Sequence, residues 1–231
     1  MKDFLLFIDT EATGLPKEWC MPYATAGNWP HAVQVSWLIY SKDGEKIAER
    51  NFFVNENDIV ISARASLIHG ITKEFLQENG IPRQQLLQHL SSDLEQYQPM
   101  VIGHFIELDY RVLGADYYRA DMENPLVNLP TFCIMLASKH LQQNPRLKFM
   151  RLGELYERLF SKPLLHQHNA LVDATATAEC FFELVKKDEI KSFIQPPIVF
   201  QKKEKVPGLL AWAIALFLIL LTAFIIAWYY G

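Results

Sequence analysis

With 231 residues, half of them hydrophobic, the chain is long enough for one globular domain with sequence to spare. A formal net charge of −4 excludes a basic protein that coats nucleic acid through many phosphates. Any nucleic acid must be met through a small site with a shallow salt dependence. Cys20, Cys133 and Cys180 have neither the paired spacing of a disulfide framework nor a metal pattern, and are expected as free thiols in a reducing compartment.

Phe4–Asp9 is apolar up to its last residue and reads as a central first strand. Thr13-Gly14-Leu15-Pro16 breaks it, and residues 17–31, with Trp19, Pro22, Gly27, Asn28 and Pro30, read as a loop. Ala32–Tyr40 is a second strand, and the Asp43-Gly44 turn joins it to a third, Lys46–Val54, as a hairpin. Ser62–His69 has the form of a short helix, capped by Ser62 and followed by Gly70. Pro82 opens another that runs to about Tyr97. Met100–His104 is a short buried strand, Glu107 to about Asp121 a helix, and Phe132–Met135 a fifth strand. Gly153–Phe160 and Ala170–Lys187 are helical by apolar spacing. The succession predicts an α/β fold with a mixed five-stranded sheet over residues 1–190.

Residues 191–207 carry Pro196, Pro197, Pro207 and a lysine cluster and read as a linker. From Leu209 to Tyr230 there is no charged residue and one polar residue, Thr222. Such a length of apolar chain spans a bilayer core. Trp212, Trp228, Tyr229 and Tyr230 suit the two interfaces. Segment 208–231 is therefore expected to be a single transmembrane helix, with the lipid bilayer as partner of residues 209–230. Lys202, Lys203 and Lys205 place the preceding domain in the cytosol by the positive-inside rule. The apolar run Phe4–Ile8 is too short for a secretory signal.

Asp9 and Glu11 stand two apart at the end of the first strand, so both side chains share a face. Two carboxylates this close repel unless a cation lies between them. The Thr13-Gly14 turn beside them lets backbone approach a ligand closely. Asp109 falls in the first turn of its helix; Glu107 competes with it, but the two point to different faces. His168 and Asp173 are five apart, a spacing that does not bring side chains together on one helix. The pair works if His168 lies in a mobile loop and Asp173 on the helix after it, with the imidazole as a base of near-neutral pKa. His166 competes with His168 for that role. Arg146, Lys148 and Arg151 form a small basic cluster within reach of phosphates or solvent.

Taken in order, F-I-D-T-E-A-T-G-L, G-H-F-I-E-L-D and H-N-A-L-V-D resemble the three motifs of the DEDDh family of 3′–5′ exonucleases, of the DnaQ and Trex type, which share the ribonuclease-H-like three-layer fold. I-H-G-I-T at 68–72 is a further family-like stretch, and the likeness covers roughly residues 4–187. The resemblance implies Asp9, Glu11, Asp109 and Asp173 as ligands of two Mg²⁺ ions, with Mn²⁺ as a substitute, and His168 as general base. It implies Glu11, Ala12, Leu15, Ile68 and His168 as contacts to the terminal nucleotide of a nucleic-acid 3′ end. The second motif departs from the family: Phe105 stands where Asn is common, and Leu108 where Phe is frequent. E-A-T-G-L-P and the apolar C-terminal segment also resemble the Trex-type DNA exonucleases, which carry a C-terminal membrane anchor. The expected activity is release of nucleoside 5′-monophosphates from single-stranded or frayed DNA. RNA is the competing polymer, since no residue reads a 2′-hydroxyl. An inactive, membrane-tethered scaffold is a third reading, opposed by the presence of all four acids and the histidine.

Overall fold

The computed structural model describes residues 2–198. The expected anchor, 208–231, lies outside the described residues. Among those described, no helix is long and apolar enough to cross a membrane.

In chain order the elements are β1 (Phe4–Ala12), β2 (Ala32–Ser41), β3 (Lys46–Val54), α1 (Ala63–His69), α2 (Lys73–Asn79), β4 (Gly80–Ile81), α3 (Arg83–Tyr97), β5 (Met100–Gly103), α4 (Ile106–Arg119), β6 (Thr131–Cys133), α5 (Ile134–Ala137), α6 (Leu152–Phe160) and α7 (Ala170–Lys186). The sheet has six strands in the order β4-β3-β2-β1-β5-β6, one more than the sequence predicts. The extra strand is the two-residue β4, parallel to Phe53 and Val54, which is too short to have a hydrophobic period. Sequence patterning also missed α2, which is capped by the Thr72 side chain at Phe75 N. The expected strand over Phe132–Met135 ends at Cys133 and passes straight into α5.

β1 is the spine. It pairs antiparallel with β2 along its whole length, from Phe4↔Ser41 to Glu11↔Gln34, with an irregularity before Ala12↔Ala32. Its parallel pairing with β5 covers only Leu5 to Phe7. Strand alternation sends Leu6 and Ile8 into a core shared with α3 and α4, where Leu90, Leu94, Val112, Leu113 and Tyr117 are buried. Leu5 and Phe7 face the opposite way, against Leu155, Phe181 and Leu184 of α6 and α7. The sheet thus lies between two helical layers, as the α/β expectation requires. By the same alternation Asp9 and Glu11 extend the Leu5–Phe7 row toward α7.

Residues 191–198, the described part of the expected linker, form no helix or strand but are fixed to the domain. Gln195 Oε1 accepts from Cys133 N at 2.8 Å, and Gln195 Nε2 donates to Cys133 O at 3.1 Å. One side-chain amide thereby caps the outer edge of β6. Phe193 packs beside Phe132 and Phe181, at ring separations of 5.9 and 6.1 Å.

The turn from β5 into α4 needs glycine at position 103, because a Cβ there would lie 2.9 Å from Ile106 Cδ1 and 3.2 Å from Ile106 Cα. Gly103→Val is expected to destabilise the domain by about 1–3 kcal/mol through overpacking, read as a lower urea midpoint with an unchanged m-value.

Candidate active site

Three elements deliver the predicted acids to one place. β1 supplies half-buried Asp9 and buried Glu11, α4 buried Asp109 and α7 buried Asp173. Beyond Phe7, β1 has outrun β5, and the Thr10 N–H has no strand to bond. Asp109 takes that place: its Oδ1 accepts from Thr10 N at 2.8 Å and from Thr10 Oγ1 at 2.7 Å. Glu107 is engaged elsewhere, accepting from Arg111 Nε at 2.9 Å and Nη2 at 2.8 Å. The competition between these two acids is therefore decided by geometry in favour of Asp109.

Asn169 caps α7, its side chain accepting from Leu171 N at 3.1 Å and Val172 N at 3.4 Å. Gln34, the cross-strand neighbour of Glu11, accepts from Ala170 N at 3.2 Å and so ties the helix start to the sheet. Gln34 Nε2 and Ser36 Oγ both donate to Asn51 Oδ1, at 2.9 and 2.8 Å, which fixes the amide. Asp173, one turn into α7, then faces β1.

His168 lies in the exposed loop before α7 with a left-handed backbone, φ 65°. Its N–H donates to Asp173 Oδ2 at 3.0 Å, so the loop is tethered to the acid it serves. A ring nitrogen of His168 and carboxylate oxygens of Glu11 and Asp173 all lie within 4.8 Å of one another. His166 is also left-handed, at φ 56°, but takes no part in that group. Asp9 and Asp109 join it electrostatically: Asp109, Asp173 and Glu11 all act on Asp9, and Asp109 acts on Glu11.

All four carboxyls are held above their ordinary range. For Asp9 the causes are burial, then Asp109, Asp173 and Glu11. Glu11 is pushed to about 7 by burial, Asp173 and Asp109. Burial also drives Asp109 to about 7, against the pull of its Thr10 hydrogen bonds. Asp173 is raised by burial and partly offset by His168. Its Oδ1 is buried and has no hydrogen-bond partner. Four hard oxygen donors in mutual repulsion, one of them orphaned, fit divalent cations of the Mg²⁺ or Mn²⁺ kind.

Leu15 is 70% exposed and Ile68 48% exposed, so neither is a core residue. Ala12 closes β1 beside them, and Thr13 O accepts from Ser62 N at 3.2 Å, which fastens α1 to the turn after β1. His69 lies within the family-like I-H-G-I-T stretch, but the sequence assigns it no role. Its Nδ1 accepts from Ile71 N at 3.0 Å, and its buried Nε2 lacks a hydrogen bond. Burial and the neighbouring His168 lower its pKa, while the Ala12 backbone raises it. Phe105 caps α4 in a left-handed conformation, φ 69°, that Asn tolerates better than Phe. Trp19 packs on it at a ring separation of 5.6 Å. Within the basic cluster, Arg151 begins α6, its N–H donating to Glu154 Oε2 at 2.8 Å. His104 Nε2 lies 3.1 Å from Met150 O and holds the end of this loop to β5.

The RNase_T family, described as exonuclease, matches residues 6–181. The chain belongs to this exonuclease family. Among solved structures it is similar to exonuclease I, with a TM-score of 0.65 and 17% identity over 80% of this chain and 41% of that one. E. coli exonuclease I in complex with a dT13 oligonucleotide gives the same values. The zinc-bound form of the E. coli exonuclease I–ssDNA complex has a TM-score of 0.65 and 18% identity, over 80% of this chain and 41% of that one. At this identity the likeness is one of fold, and the chain spans about two fifths of those proteins. No curated protein matches the chain.

Because Glu11 and Asp109 hold protons to about 7 in the folded chain, against about 4 when unfolded, they favour folding at low pH. That contribution is complete below the unfolded values and lost as pH rises through the folded ones. In EDTA, the melting temperature is expected to fall between about pH 5 and about pH 8, and millimolar Mg²⁺ is expected to restore more of it at the upper pH. Equal Mg²⁺ shifts at both pH values would argue against a cation shared by these carboxylates.

Proposed function

We propose that the protein is a metal-dependent 3′–5′ exonuclease that releases nucleoside 5′-monophosphates from single-stranded or frayed DNA ends. The observation that carries this reading is the convergence of His168, Glu11 and Asp173 within 4.8 Å, beside Asp9 and Asp109. Asp9, Glu11, Asp109 and Asp173 would hold two Mg²⁺ ions. When bound, such ions stabilise the negative charge that develops on phosphate oxygens during in-line displacement.

The remaining roles fall to the chain itself. His168 accepts the proton of the attacking water at a ring nitrogen, and its backbone bond to Asp173 keeps the imidazole near the reacting phosphate. The departing 3′ oxygen remains on the shortened strand, so the product carries its phosphate on the 5′ side. Leu15 and Ile68, both exposed and carried by the two segments that the Ser62–Thr13 bond joins, pack against the terminal base, and the Ala12 backbone lines the sugar. The DNA preference draws support from exonuclease I, whose structures hold dT13 and dA16 oligonucleotides.

The apolar segment 209–230 would hold this domain to a bilayer from its cytosolic side, with 199–207 as the remaining tether.

The test uses the full chain in detergent with Mg²⁺ and 5′-labelled DNA and RNA of one sequence. A ladder shortening from the 3′ end of DNA, absent for Asp9→Ala, is expected. Faster cutting of RNA would move the reading to an RNA exonuclease, and cleavage of neither by folded protein would leave a scaffold. His168→Ala is expected to slow turnover by roughly 10²–10⁴-fold, and near wild-type turnover would remove His168 from its role as base.

A further inference from the structure

One face of α1 has no structural task. Leu67 is 87% exposed, the adjacent Ile68 48%. Arg64 stands three and four residues before them, so the three side chains share a face. Among the described residues Arg64 makes no ion pair or hydrogen bond. Local helix physics does not account for it either: the first turn favours an acid, and α1 has none there.

The helix is nevertheless held firmly and in a telling place. Ser62 accepts from Ala65 N at 3.1 Å and donates its own N–H to Thr13 O at 3.2 Å. At the other end Gly70 closes the helix with a left-handed residue, and His69 is near enough to the Ala12 backbone and to His168 to feel both electrostatically. The exposed Arg64–Leu67–Ile68 face thus belongs to a helix fixed at the end of β1 that carries the acids, and the residue after Ile68 is the one that feels His168. From Arg64 to Ile68 the helix rises about 6 Å, the scale of one step along an extended nucleotide strand. The neighbouring site is acidic, so a polyanion approaching it needs a cation close by.

We infer that α1 seats the second nucleotide from the 3′ end, with Leu67 packed against its base and Arg64 bonded to a phosphate on its 5′ side. The inference rests on the exonuclease reading and adds an upstream contact to it. It explains why an exposed leucine and an unpaired arginine sit side by side on a helix that is otherwise pinned in place.

Two substrates separate the two claims. The p-nitrophenyl ester of thymidine 5′-monophosphate has no second nucleotide; a single-stranded oligo(dT) has one. With full-length protein in detergent and Mg²⁺, Arg64→Ala is expected to raise KM for the oligonucleotide about tenfold, chiefly in KM and not in kcat. The slope of log KM against log salt should fall by about 0.7, one single-strand phosphate contact. Arg64→Lys should restore that slope, and Leu67→Ala should raise KM without changing it. The ester should carry none of these penalties. Equal losses on ester and oligonucleotide, or an unchanged salt slope in Arg64→Ala, would overturn the assignment. So would a changed oligomeric state with unchanged oligonucleotide kinetics, which would make the face a contact between copies. If the wild type turns over neither substrate, the exonuclease reading itself falls. If it turns over both and Arg64→Ala matches it on both, only the α1 seat falls.

Discussion

The bond from Thr10 to Asp109 is the constraint on which the rest depends. A strand longer than its neighbour leaves backbone donors facing nothing, and in a protein interior that is costly. β1 continues past the end of its pairing with β5, and a carboxylate from α4 fills the gap with two hydrogen bonds on one oxygen. Completing the strand and assembling the acids are therefore one event. Asp109 cannot leave the site without unbonding β1. Asp9 and Glu11, on either side of Thr10, are fixed by the same contact through the rigid alternation of the strand.

The acids are held against their own repulsion by the two apolar layers. Leu5 and Phe7 on one face, Leu6 and Ile8 on the other, are all buried, so β1 cannot twist or slip to separate Asp9 from Glu11. α7 is secured through Gln34 and Asn169 and not through the acid it carries. A second ionic group steadies the far side. Asp116 of α4 accepts from Ala32 N at 3.0 Å and from Arg119 Nη1 at 2.6 Å, and pairs with Arg83 of α3 at 3.2 Å. There opposite charges meet: burial holds the Asp116 pKa above its ordinary value, and the two arginines only limit that rise. In the carboxylate cluster like charges meet, and they are relieved either by bound protons, as the raised pKa values show, or by an incoming cation.

Much of this was legible in the sequence because it depends on short-range order. The β2–β3 hairpin, the Ser62 and Gly70 caps of α1 and the start of α3 after Pro82 follow from local turn and cap chemistry. Asp9 and Glu11 are set on one face by strand period alone. What escaped depends on partners far away in the chain. β4 exists only because Phe53 and Val54 are there to pair with it. Thr10, between two acids, looks like a spacer until α4 is placed beside it. Gln34 and Ser36 did leave a trace, as two polar residues within the apolar run of β2; both are fully buried. The choice of Asp109 over Glu107, which the sequence offers only through the family resemblance, has a local cause in the fold: Arg111, four residues on, holds Glu107. The Phe105 departure from the family pattern had no visible consequence until its left-handed backbone and its contact with Trp19 were placed.

Gln195 carries a consequence for where the folded unit stops. By occupying the free edge of β6 it stands in for a missing strand, while the opposite edge of the sheet tapers to the two residues of β4. The β6 border is thereby not left as a template for another chain to extend. A domain trimmed at residue 190, where sequence patterning alone would cut it, would bare the outer amide and carbonyl of Cys133 and the aromatic ground under Phe193. Such a fragment invites edge-to-edge association, so solubility of the isolated domain is decided by a segment that has no regular secondary structure of its own.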